Sequence, residues 1–290
     1  MKQSFLLLAA AAMLASCQKS VIDDNAPVSE VSPSEKQFTF TLCGDFSDQW
    51  TATRASLQAD GKELTDVWVL DYMNGFLVQQ LHQSDNTAPD FGQPSMTLSY
   101  GSHHVYFIAS RGSGATLDTD AKAITFSSVR DTFWKDYEVT VASTSNGNRA
   151  VTLDRVVTKL RLIFNDAIPA TAATFNVIPE TWYYGFNYTT GEPVATATSQ
   201  TITVNIPSTS VGLTGEIVSI FSFSTAAEWT TDVTINSKTS SGDVLGSATI
   251  VDVPFKVNRV SELSGPLFSS GGSLTMSLNT AWDTSHVGTW

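Results

Sequence analysis

The stretch DVWVLDYMNGFLVQQL, residues 66–81, decides the fold class, because two apolar runs flank the dipeptide Asn74-Gly75. Asparagine and glycine both tolerate the positive φ that the two central residues of a type I′ hairpin turn require. The flanking runs are rich in β-branched and aromatic residues, which favour strands. The stretch therefore predicts a β-hairpin.

The segment KQFTFTLCGDF, residues 36–46, has the alternation of a strand with one buried face. Its apolar residues Phe38, Phe40 and Leu42 are separated by single threonines. Successive side chains of a strand point to opposite faces, so a period of two indicates a half-buried strand. We predict that these three side chains point into a core.

Similar segments, separated by turn signals, follow along most of the chain. Thr, Ser and Val are abundant in them, and no helical periodicity persists beyond one or two turns. Many short strands with turns between them are typical of β-sandwiches and barrels, so the predicted fold class is all-β. The further predicted strands lie in residues 95–110, 136–143, 150–164, 201–206, 216–224, 229–236, 248–255 and 273–279.

The polar segment STSNGNRA, residues 143–150, is the best candidate for a domain boundary. Each side of it carries enough predicted strands for one sandwich. We therefore predict an N-terminal β-sandwich over residues 37–150 and a C-terminal β-sandwich over residues 151–290.

The N-terminus has the features of an export signal. Lys2 precedes an apolar run over residues 5–14, which is shorter than the roughly 20 residues that span a bilayer. The run ends in Leu-Ala-Ser-Cys at residues 14–17, which resembles a bacterial lipobox. The resemblance implies that residues 1–16 are a signal peptide and that Cys17 is acylated after cleavage.

Residues 17–36 are polar, contain two prolines and show no periodicity, which indicates a flexible tether. We expect the protein to be held on the outer membrane by the lipid on Cys17 and to face the cell surface. Cys43 is the only other cysteine, so an internal disulfide is not expected and the core must hold the fold.

Charge and motifs limit the function further. The formal net charge is −12, and an acidic surface repels phosphates, so nucleic acid is not an expected partner. The histidine pair His103-His104 lies on a predicted strand, where neighbours point to opposite faces and make a poor joint ligand pair. No catalytic or phosphate-binding motif is present. We expect no enzymatic activity, no cofactor and no metal site.

The segment TWYYGFNYTTG, residues 181–191, is unusually rich in aromatic residues. Trp182, Tyr184 and Tyr188 are candidates for a flat platform that binds sugars. Aromatic residues also favour strands and cores, so packing inside a sandwich is the alternative interpretation.

The order of several segments resembles the FimA-type and Mfa-type fimbrillins, the pilus proteins of Gram-negative anaerobes. The lipobox and tether are followed by the first strand, by Thr-Arg-Ala at residues 53–55 and by VWVLDYMNGFLV. The segments GSHHVYFIAS, DRVVTKLRLIF and VPFKVNRVSELSGPLF then follow, the last at residues 253–268. This resemblance covers nearly the whole chain after the signal peptide.

The resemblance implies two tandem transthyretin-like β-sandwich domains and assembly by strand exchange with other pilus subunits. In this family an arginine-specific protease cuts after the first strand, and Arg54 matches that position. The displaced strand would carry Phe38, Phe40 and Leu42, and its loss would open a groove for a neighbour's strand.

The donor strand would be the C-terminal segment that carries Leu274, Met276 and Leu278, preceded by Gly271-Gly272 as a possible hinge. The sequence thus predicts a stalk, anchor or tip subunit of a fimbria that serves adhesion. The alternative is a surface glycan-binding lipoprotein that does not polymerise. The surface ligand remains open in both cases.

Overall fold

The computed structural model describes residues 34–44, 55–56, 64–194, 200–269 and 275–279. Within these ranges the chain forms strands and one 3₁₀ turn, Ser208–Ser210, and contains no α-helix. The predicted all-β fold class is therefore confirmed. No helix in the described ranges is long and apolar enough to cross a membrane.

The strands are numbered in chain order. They are β1 Glu35–Gly44, β2 Ala55–Ser56, β3 Asp66–Met73, β4 Phe76–Gln83, β5 Ser95–Ser99, β6 Gly101–Ser110, β7 Ser113–Asp118, β8 Ala123–Ser128, β9 Thr132–Val141, β10 Asn148–Thr152, β11 Asp154–Arg155, β12 Val157–Phe164, β13 Thr174–Pro179, β14 Gly185–Asn187, β15 Pro193–Val194, β16 Ile202–Asn205, β17 Glu216–Phe223, β18 Trp229–Lys238, β19 Val244–Phe255, β20 Val260–Gly265 and β21 Thr275–Asn279.

Two sheets enclose the first core. In one sheet β1 pairs with β10, β2 and β5, and the other has the order β11-β9-β6-β3-β4. The predicted hairpin connects β3 and β4, and Asn74 and Gly75 have φ of 53° and 82°, as a type I′ turn requires. The first core contains sixteen buried apolar residues: Phe38, Phe40, Leu42, Leu64, Val67, Val69, Phe91, Met96, Leu98, Val105, Phe107, Ala109, Phe133, Val141, Val151 and Leu153.

Two further sheets enclose the second core. Their strand orders are β17-β12-β20-β21 and β16-β13-β18-β19. Phe164 of β12 and Phe175 of β13 stack across this core, with ring centroids 4.2 Å apart. Each of the two cores thus has the sheet-on-sheet arrangement of a sandwich.

A fifth sheet and a third core join the two halves of the chain. In the fifth sheet, β8 pairs with β14, so residues from both sides of the predicted boundary share one ladder. The third core also draws on both halves, with Trp68 and Tyr106 packed in the same cluster as Phe186 and Phe223. The boundary between residues 150 and 151 stays a prediction.

Candidate functional site

The candidate functional site is the position of β1 within its sheet. Residues 39–43 of β1 pair in parallel with residues 148–152 of β10. Residues 35–39 pair antiparallel with 95–99 of β5, and 43–44 pair with 55–56 of β2. β1 is therefore an interior strand, although it is the first described strand of the chain.

The apolar face of β1 is completely buried. Phe38, Phe40 and Leu42 are each 0% exposed, as the alternation of the sequence indicates. The ring of Phe40 meets the ring of Tyr137 edge to face, with centroids 6.0 Å apart. The guanidinium of Arg149, on the neighbouring β10, lies 5.6 Å from the centroid of the Phe38 ring. The opposite face of β1 is polar and half-buried.

Backbone hydrogen bonds hold β1 along both edges. On one edge the N–H groups of Phe40 and Leu42 donate to the carbonyl oxygens of Pro94 and Gly92, at 2.9 and 3.1 Å. On the other edge the N–H of Thr39 donates to the carbonyl oxygen of Gly147 at 2.7 Å. An interior strand leaves two rows of polar groups unpaired when it is removed, and buried unpaired groups are costly.

Gly147 permits the close approach of β1 to the loop before β10. A Cβ added at this position would lie 2.5 Å from the carbonyl oxygen of Gln37, which is too close for the two chains to remain in place. The sequence analysis treated this glycine only as part of a polar break. Its role depends on the parallel pairing of β1 with β10, which local sequence does not reveal.

Three predicted site residues lie outside the described residues. They are Cys17, the predicted lipidation site, Arg54, the predicted cleavage site, and Leu274 of the predicted donor segment. The residue after Arg54, Ala55, begins β2 and pairs with Gly44 at the end of β1. The predicted cleavage position is thus adjacent to a short strand that contacts the end of β1.

The predicted donor segment forms β21, which pairs antiparallel with β20 of the same chain. In this register Met276 is opposite Leu263 and Leu278 is opposite Ser261, while Leu274 lies outside the described residues. Among the described strands, β21 lies at one edge of its sheet. The candidate donor strand is therefore already paired within its own chain.

The carboxylate of Asp166 holds the chain before β21. It accepts hydrogen bonds from the backbone N–H groups of Leu267, Phe268 and Ser269, at 3.0, 2.6 and 3.0 Å. Burial acts to raise the pKa of Asp166, but these three donors outweigh it and hold the pKa below its ordinary value. Sequence analysis missed this residue, since nothing local relates it to a segment a hundred residues away.

The aromatic residues proposed as a sugar platform do not form an exposed surface. Trp182 and Tyr188 are 3% and 0% exposed, and only Tyr184 is half-buried. The indole N–H of Trp182 donates to the carbonyl oxygen of Phe221 at 3.0 Å, and the hydroxyls of Tyr188 and Tyr72 are 2.7 Å apart. The platform interpretation is therefore wrong, and these rings pack in the second and third cores.

A buried hydrogen-bonded pair lies in the sheet that faces β1. The side chains of His103 and Asp71 are both 0% exposed, and Nδ1 of His103 lies 2.7 Å from Oδ1 of Asp71. Nε2 of His103 lies 2.9 Å from the carbonyl oxygen of Ser99, which only accepts, so this nitrogen carries a hydrogen. Burial raises the pKa of Asp71, against the opposing effects of the hydrogen bond and charge of His103.

A search of solved structures found similar bacterial proteins. A candidate cell adhesion protein from Bacteroides ovatus matches with a TM-score of 0.52 and 13% identity, over 86% of this chain and 99% of that one. A candidate polysaccharide-binding protein from Bacteroides thetaiotaomicron matches with a TM-score of 0.52 and 9% identity, over 85% and 96%. The tip fimbrial protein Mfa3 from Porphyromonas gingivalis gives 0.46 and 12%, over 84% and 99%.

The two matches with the higher TM-scores show that this chain shares the fold of those two proteins. These neighbours are described as binding and adhesion proteins and not as enzymes. Residues 113–289 match the family of unknown function DUF6562, and the chain belongs to this family. A comparison of the sequence with curated proteins found no match.

Proposed function

We propose that this protein is a structural subunit of a fimbria, which assembles by donor-strand exchange with other pilus subunits and serves cell adhesion. The observation that carries the proposal is the placement of β1, an N-terminal strand that lies between β5 and β10 with its apolar face wholly buried. A strand at the beginning of the described chain can leave without threading any other element through the sheet.

The interactions of β1 indicate how strongly a replacement strand would be held in the same position. Burial of each apolar side chain on β1 contributes about 1.5–3 kcal/mol. The hydrogen bonds on both edges add about 0.5–1.5 kcal/mol each. A groove without β1 would expose the apolar residues of the first core together with unpaired backbone groups. A segment with the same alternation would therefore bind strongly, by β-augmentation.

The candidate donor is β21, with the alternating residues Leu274, Met276 and Leu278. Because β21 pairs with β20 in its own chain, donation requires that this pairing be broken first. An edge strand makes only one ladder, whereas the groove left by β1 offers two. Once β1 has left, donation would replace the single ladder of β21 by a double one, which supplies a driving force for filling the open groove.

The proposed location is the outer surface of the outer membrane, where acylated Cys17 would anchor the chain. Residues 18–33, which precede the described part, are polar and would allow the fold to extend away from the lipid. Whether the subunit forms the stalk, the anchor or the tip depends on whether β1 is removed and whether β21 is donated.

Limited digestion with trypsin, followed by electron microscopy, tests the proposal. Arg54 should be cut early, because buried basic residues such as Arg155, Lys159 and Arg161 are 7%, 4% and 5% exposed. Oligomers should then appear slowly as β1 is displaced. Arg54→Ala should prevent both steps, and deletion of residues 272–290 should permit cleavage but prevent chain growth.

The matched control for the digestion is Arg259→Ala, since Arg259 is a half-buried arginine in the C-terminal half. This variant should be cut at Arg54 and polymerise like the unaltered protein. Cleaved protein that stays monomeric at high concentration would refute the stalk role. Oligomers that form equally well with Arg54→Ala would refute cleavage at this arginine as the trigger.

A further inference from the structure

Three side chains with metal-binding groups come together on the outer face of the five-stranded sheet. His104 lies on β6, and Asp136 and Glu138 lie on β9. In the ladder of these two strands His104 is directly opposite Glu138, and Asp136 is opposite Tyr106. Asp136 and Glu138 are two residues apart and therefore project from the same face as His104.

The distances between the three groups suit a small cation. One ligating atom from each side chain lies within 4.8 Å of the other two. Nδ1 of His104 is 3.1 and 3.3 Å from the two carboxylate oxygens of Asp136. Ligands about 2.1 Å from a tetrahedral ion are about 3.4 Å from each other. Small rotations of these solvent-accessible side chains would close the remaining gap to Glu138.

The electrostatic environment of this cluster favours a positive ion. Two carboxylates on one face of a strand repel each other, and cross-strand neighbours interact at close range. The ring of Tyr106 lies beside His104, with centroids 6.1 Å apart and planes 19° apart. The carboxylates of Asp136 and Glu138 thus place negative charge close to the ring of His104.

We infer that His104, Asp136 and Glu138 bind a divalent transition-metal ion, with Zn²⁺ as the best match. An imidazole nitrogen favours zinc over calcium or magnesium, which prefer oxygen ligands, and zinc also accepts carboxylate oxygens. The antiparallel ladder between β6 and β9 fixes the spacing of the backbone at the site. Three protein ligands leave a coordination position for water or for a donor from another molecule.

The sequence analysis expected no metal site, and the histidines that it weighed were the adjacent pair His103-His104. Those two side chains do point to opposite faces, with His103 buried and His104 exposed. The ligands that accompany His104 lie on another strand, 32 and 34 residues further along the chain. Only the pairing of β6 with β9 brings them together.

Isothermal titration of the full chain with ZnCl₂ tests this inference. We expect one Zn²⁺ to bind per chain in a saturable manner, with at least tenfold weaker binding in His104→Ala and in Glu138→Gln. The matched control is His82→Ala, because His82 also pairs with a carboxylate, Asp66, at 2.8 Å, but belongs to no three-ligand group among the described residues. This control should bind Zn²⁺ as tightly as the unaltered chain.

The inference is overturned if titration of the unaltered chain shows no saturable binding at ZnCl₂ concentrations up to about 1 mM, because a dissociation constant below that order would then be excluded. It is also overturned if the affinity is unchanged in both cluster variants, since zinc would then bind elsewhere. X-ray absorption of the zinc-loaded chain supplies a second readout, with one imidazole nitrogen and carboxylate oxygens expected in the first shell. Thermal unfolding of each metal-free variant checks that the fold is intact.

Discussion

The ring of Phe40 meets the ring of Phe107 edge to face, with centroids 4.9 Å apart and planes 63° apart. Phe40 belongs to β1, and Phe107 belongs to β6 in the facing sheet. We propose that β1 is exchanged. This contact therefore connects β1 with the part of the first core that would remain after β1 has left. Aromatic pairs of this geometry add about 0.5–1.5 kcal/mol beyond the area they bury.

Replacement of Phe40 by alanine should therefore destabilise the fold strongly. Removal of a fully buried ring costs the transfer free energy and leaves a cavity, together about 3–5 kcal/mol. Thr41→Ala, on the polar face of the same strand, should cost about 1 kcal/mol or less. Urea unfolding measures both values. Equal losses for the two variants would contradict the burial pattern of β1.

Gly147→Ala should loosen β1 from β10 while the rest of the fold stays intact. The added Cβ would meet the carbonyl oxygen of Gln37 at 2.5 Å, so one of the two backbones must move. Hydrogen exchange of the Thr39 amide, which donates to Gly147, should accelerate by about tenfold or more, equivalent to about 1.4 kcal/mol. Thr144→Ala, at an exposed position of the same loop, is the control and should leave this exchange unchanged.

Asp166→Asn should lower stability at neutral pH and have little effect in acid. The pKa of Asp166 is lowered in the folded chain, so its ionised form stabilises the fold above the unfolded value of about 3.9. This contribution is lost as the pH falls through the folded pKa. We expect the free energy of unfolding to fall by about 1 kcal/mol at pH 7. This value is at the low end of the range for hydrogen bonds to charged groups, because the side chain is partly exposed.

Urea unfolding at pH 7 and at decreasing pH down to about 2 measures the pH dependence. Asp154→Asn is the control, because the Asp154 side chain is 66% exposed in its ion pair with Lys135, and surface pairs contribute about 0–1 kcal/mol. A loss at Asp166 that is the same over this whole pH range would show that its charge is unimportant.

The pair His103–Asp71 should behave as a coupled unit. His103→Leu leaves the Asp71 carboxyl buried without its partner, and the loss of one member of a buried pair costs about 3–5 kcal/mol. The double variant His103→Leu/Asp71→Leu removes both polar groups and should cost less than the sum of the single variants. Thermal and urea unfolding of the unaltered chain, the two single variants and the double variant complete a double-mutant cycle. Strictly additive losses of stability would contradict a direct interaction between the two side chains.

Local sequence was sufficient for features that depend on neighbours in the chain. The dipeptide Asn74-Gly75 predicted the hairpin correctly, and the spacing of Phe38 and Phe40 predicted the buried face of β1. Local sequence was insufficient for features that depend on the pairing of distant strands. Aromatic residues around Trp182 have the same composition whether they line a core or a surface. For the same reason, local sequence did not reveal that Glu138 lies opposite His104, or that the Asp166 carboxylate accepts hydrogen bonds from the chain before β21.

The parallel pairing of β1 with β10 determines how the chain would respond to mechanical tension. A pull on the segment before β1 and on the chain after β10 would act in opposite directions along two strands that run the same way. Such a load shears all hydrogen bonds of the ladder at once, whereas an antiparallel hairpin pulled at its ends opens one bond at a time. β12 and β20 are also parallel, so a pull on the chain before β12 and after β20 would load their ladder in the same way. Each of the two ladders would thus resist a pull that is applied to the chain before its first strand and after its second strand.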